Sequence, residues 1–193
     1  MDFKEILDTI QNAVRTVFRL REFFDTEIAE MLGSLGDSEF QEAIKSLQYA
    51  NEDNDSESHI QDAALFLRSA KTKYLEVTKC PLVEEFFSGV VESLPVRYFF
   101  KDIFQLNVPL AYQKACMSML LAATCYKRND QTTAMIESID EAKSIFDKYT
   151  EFMEYAIPVY TKSRFMPYHK RMEKFKVELK QQREKFLSSC NAF

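Results

Sequence analysis

The sequence predicts an all-α fold: an irregular bundle of six to eight helices in a single domain, residues 1–193. Three observations lead there. Only three glycines and five prolines occur in 193 residues, too few for the many tight turns of a β or α/β fold. Apolar residues recur at three- and four-residue steps through most of the chain, the period of an amphipathic helix. Hydrophobic residues make up 46% with no long polar tract, so a core can form without disulfides or metals.

The first segment carries Phe3, Ile6, Leu7, Ile10, Val14, Val17 and Phe18 at helical spacing. Phe24, Ile28, Met31, Leu32 and Leu35 continue the stripe. This predicts one long helix, or two broken near Asp25, with the continued stripe as its apolar face. Gly33 and Gly36 in "GSLGDS" suit a C-terminal cap, and Ser38 with Gln41 resembles a capping box that opens the next helix. Ser58 and Gln61 form a second such box after the acidic "NEDNDSES" turn, starting a helix with Ile60, Ala63, Ala64, Leu67, Ala70 and Tyr74 on one face.

Pro81 fits a first helical position, and a Phe-rich connector follows between Pro95 and Pro109, with room for a short helix over 97–104. From Pro109 an apolar helix runs to about Lys127. Asp130 is placed to N-cap the next helix, which the reading ends near Tyr155, before Pro158. A last helix is expected over roughly 165–188. Residues 40–77 laid over 112–149, an offset of 72, match at Gln41/Gln113, Ala43/Ala115, Ser46/Ser118, Ala50/Ala122, Ala70/Ala142 and Lys71/Lys143. Such a match is expected if repeat units lie near 38–109 and 110–187. Ala63 and Ala70, seven apart on a second helix, resemble the small residues of tetratricopeptide repeats, which implies stacked helical hairpins over that one pair. Asn51 stands where that family has a small residue on the first helix.

The most apolar stretch, "CMSMLLAATCY" at 116–126, is roughly 16 Å of helix and too short for a bilayer. With no secretory h-region at the start, the expectation is a soluble, cytoplasmic protein. Cys80, Cys116, Cys125 and Cys190 form no metal-ligand spacing. Cys116 and Cys125, nine residues apart on one helix, point to opposite faces, so all four read as buried or incidental thiols. Neither His59 nor His169 stands in a Glu-x-x-His pair, so no metal and no cofactor is expected. Met117 and Met119 read as core filler. Asp140/Glu141 and Glu84/Glu85 read as solvated side chains, and His59 as an exposed residue of a helix start.

Net charge is −5, unevenly placed: from Thr161 to Leu187 nine Lys/Arg stand against three Glu, so the remainder carries −11. Within that basic stretch Tyr168, Met172, Phe175, Leu179 and Phe186 make a heptad-like seam with Gln182 as its polar position. Lys170, Arg171, Lys174, Lys180 and Arg183 occupy the other faces and form a candidate partner-binding surface. Arg164 and His169, separated by four residues, resemble the motif of HEPN-family domains, small helical bundles. The resemblance implies metal-independent RNA cleavage by a dimer, His169 exchanging the proton and Arg164 holding the phosphate.

No phosphate-cradling glycine loop, G-x-S-x-G or H-E-x-x-H is present. The main expectation is therefore a non-catalytic interaction or adaptor subunit that binds a protein partner or its own copy. An HEPN-like ribonuclease and a nucleic-acid binder using the basic C-terminal helix are the alternatives. The Phe pairs at 23–24, 86–87 and 99–100 are expected to put an apolar patch on the surface.

Overall fold

A computed structural model describes the backbone over residues 3–52, 56–79, 108–161, 177, 180–188 and 190–191. Side chains are described over 27–51, 56–79, 108–154 and in the same C-terminal residues. The described residues form five helices and no strand. Four are long: α1 (Phe3–Glu52), α2 (Ser56–Thr78), α3 (Val108–Arg128) and α4 (Thr132–Thr161). The fifth, α5, is the short C-terminal helix over 180–188. The Pro81 start, the 97–104 helix and the Phe pairs at 86–87 and 99–100 lie outside the described residues.

Two antiparallel hairpins, α1–α2 and α3–α4, stack side by side. In the first, Tyr74 of α2 lies against Gly36 and Asp37 of α1, and His59 against Tyr49. In the second, Tyr112 of α3 meets Tyr149 and Phe152 of α4. Between hairpins α2 packs against α3, and side chains reach across from α3 to α1: Lys114 donates to Asp37 and Arg128 to Asn51. Lys71 of α2 likewise reaches α4, donating to Glu141 at 2.5 Å.

Small residues bring the helices together. On α1, Ala29, Gly36, Ala43 and Ala50 stand seven apart and are all buried. Opposite them α2 buries Ile60, Ala63, Ala64, Leu67, Ala70, Tyr74 and Val77, which include the whole face expected from the sequence. On α3, Ala111, Ala115, Ser118, Ala122 and Cys125 are buried, with Ser118 satisfying its hydroxyl on the Lys114 carbonyl at 2.9 Å. Met119, Tyr149, Phe152 and Met153 fill the space that remains.

Several expectations are corrected. The helix does not end at Gly33 or restart at Ser38; α1 continues unbroken through both, and no break falls at Asp25. Gly36 is there because the Tyr74 ring leaves no room for a side chain. The stripe taken for the apolar face is also displaced: Ile28, Met31 and Leu35 are 47%, 56% and 45% exposed. The face that packs on α2 is the small-residue one, because close helix approach rewards alanine and glycine over bulk. Met117 is 51% exposed, whereas Met119 is fully buried.

Asp130 does not N-cap α4. It takes φ 54°, the left-handed conformation that Asp tolerates better than most residues, and closes α3 instead. The amide of Asp130 bonds the Lys127 carbonyl, and that of Gln131 bonds the Tyr126 carbonyl, a Schellman pattern. The first α4 bond then runs from the Met135 amide to the Gln131 carbonyl at 3.0 Å. α4 also passes Pro158 and ends at Thr161. One lost backbone bond there is outweighed by the continuous helix on either side.

The 72-residue offset keeps burial in step at Ala43/Ala115, Ala50/Ala122, Leu67/Ile139, Ala70/Ala142 and Tyr74/Phe146. It does not keep the helix ends in step: Glu52, the last residue of α1, falls on Thr124, four residues before α3 ends.

Candidate interaction surface

A stack of two hairpins has two end flanks, and this chain treats them differently. The flank of α3–α4 away from the first hairpin is closed by α5. There Phe186 stacks on Phe146, ring centroids 4.2 Å apart and planes 6° from parallel. Cys190 is buried with Ala123 and Ile139. Gln182, the polar residue of the seam, completes a chain of hydrogen bonds: Gln113 Nε2 donates to the Tyr149 hydroxyl at 3.0 Å, and that hydroxyl donates to Gln182 Oε1 at 2.9 Å. Three helices are thus tied by one buried tyrosine.

Docked by Gln182, Phe186 and Cys190, α5 turns Lys180 and Arg183 outward, where both are exposed. The other expected site residues, Lys170, Arg171 and Lys174, lie outside the described residues. So do Arg164 and His169, and the seam residues Tyr168, Met172, Phe175 and Leu179.

The opposite flank, on α1–α2, carries an apolar stripe. Asp37 and Asn51 mark the side of α1 that faces α3. At about 100° per residue, Ile28, Met31, Leu35 and Tyr49 project from the other side, away from the second hairpin. All four are about half exposed, Tyr49 at 55%. Beside them on α2, His59 is half-buried with its ring 5.8 Å from that of Tyr49, and Phe66 is half-buried. His59 is therefore a packed residue, not a free one. Glu42, in the middle of the stripe, is paired within its own helix to Lys45 at 2.6 Å. Ser38, Glu42 and Lys45 separate Leu35 from Tyr49 along this side of α1, and Glu39 and Asp62 lie beside the stripe.

Polar groups along the edge of the packed helices tie the stack together. Asp37 accepts from the Tyr74 hydroxyl at 2.7 Å and from Lys114 at 2.5 Å, with Lys114 also 5.3 Å above the Tyr74 ring. Burial pushes the Asp37 carboxyl up, but the bonds from Lys114 and Tyr74 outweigh it and leave its pKa lowered. Burial and the Asp37 carboxylate both raise the Tyr74 hydroxyl, so it stays a donor. Glu141, read from sequence as solvated, bridges α4 to Lys71, with Arg68 4.0 Å away.

Three of the four thiols are described and buried; Cys80 lies outside the described residues. Burial pushes Cys116 up to about 12 and Cys125 to about 11, and raises Cys190; a thiol so shifted is a poor nucleophile. All three are free. Among the described residues no group of three His, Cys, Asp or Glu is placed to hold a metal. None of their helices is long and apolar enough to cross a membrane.

Sequence reasoning missed the α1 flank because it assigned the bulky stripe to the core. The signal that separates the two faces is the seven-residue run of small residues at 29, 36, 43 and 50. Comparison with protein-family models, curated proteins and solved structures finds no match to this chain.

Proposed function

We propose that this chain is a non-catalytic helical interaction subunit, an adaptor that binds a protein partner or its own copy. One observation carries the reading: the end flank of the first hairpin presents Ile28, Met31, Leu35 and Tyr49 to solvent, while the other end is closed by α5. Stacked helical arrays need their ends covered, and an apolar stripe with polar surroundings is a usual mark of a binding surface. The exposed Lys180 and Arg183 of α5, together with the basic stretch of sequence that holds Lys170, Arg171 and Lys174, serve as a second, electrostatic contact for an acidic partner. Three free buried thiols support a reducing, cytoplasmic setting.

The test is affinity capture of the tagged chain from extract of the cells that encode it, wild type beside Met31→Glu. The expected outcome is a defined protein complex with wild type and at least tenfold less with the variant. Capture that ignores the substitution would sink the reading. So would cleavage of RNA in EDTA by purified wild type but not by His169→Ala, which would move the function to Arg164 and His169.

A further inference from the structure

We draw no further inference here: the strongest candidate, the short apolar run of Ile28, Met31 and Leu35 on the α1 side of the first hairpin, gives way to Ser38, Glu42 and Lys45, and nothing in the structure shows what covers it.

Discussion

Gly33 and Gly36 stand three residues apart on one helix and have opposite requirements. A Cβ on Gly36 would lie 2.6 Å from Tyr74 Cε1 and 2.8 Å from Cδ1, whereas one on Gly33 would meet nothing within 4 Å. Tyr74 cannot swing aside, because it is 2% exposed and its hydroxyl is held by Asp37. Gly36→Ala is therefore expected to destabilise by about 1–3 kcal/mol through overpacking, although alanine is the better helix former. Gly33→Ala should stabilise by about 0.5–1 kcal/mol, since only the propensity term applies. Urea unfolding of the two variants checks both signs. Asp37 makes a second test. Its folded pKa is lowered, so its contribution is present above the unfolded value of about 3.9 and is lost as pH falls through the lower folded value. Because its side chain is 52% exposed, screening keeps the effect under about 1 kcal/mol. Asp37→Asn should lower the urea midpoint at pH 6, and the gap from wild type should narrow at pH 3.

At the scale of elements, a single hydroxyl cross-links the closed end, beside the Phe186–Phe146 stack. Tyr149 is 1% exposed, accepts from Gln113 on α3 and donates to Gln182 on α5. Tyr149→Phe keeps the ring contacts with Phe146 and Tyr112 but leaves two amide side chains without that partner. A loss of about 1–2 kcal/mol is expected, concentrated in α5. Hydrogen exchange should show residues 180–188 losing protection more than α1 or α2. Much of this element was legible beforehand. The heptad seam named Phe186 and singled out Gln182 as its polar member, and the buried face of α2 was read from Ile60 to Tyr74, short of Val77 and with the helix start two residues late. The α3–α4 turn was not. Asp130 before Thr132 reads equally well as an N-cap or as a left-handed C-terminal residue, and only the Tyr126 and Lys127 carbonyls, as acceptors, decide between them.

Across the whole molecule, the buried clusters are bridged by shared neighbours. Phe40 packs against both main clusters, Leu120 and Phe186 join the first to the cluster around Cys190, and Met135 joins that to the second. The two hairpins and α5 are thus expected to behave as one cooperative body, and an event at one end flank acts on the stability of all of it. If the open flank pairs with a second copy, folding is linked to association, and the thermal midpoint of wild type should rise with protein concentration. Met31→Glu/Leu35→Glu should remove that rise.

By itself the sequence determined that this chain is helical, where most of its helices lie and which face of α2 is buried, because periodicity and the scarcity of glycine act locally. It also determined that bulky apolar residues on α1 form a stripe. Only the tertiary structure decided which side of α1 faces inward. The choice between the bulky stripe and the small-residue one rests on how closely α2 approaches, and the Tyr74 ring over Gly36 sets that distance from 38 residues away in the chain. Burial of Ala29, Gly36, Ala43 and Ala50 leaves Ile28, Met31 and Leu35 outside, and a core stripe in the sequence becomes a docking flank in the fold.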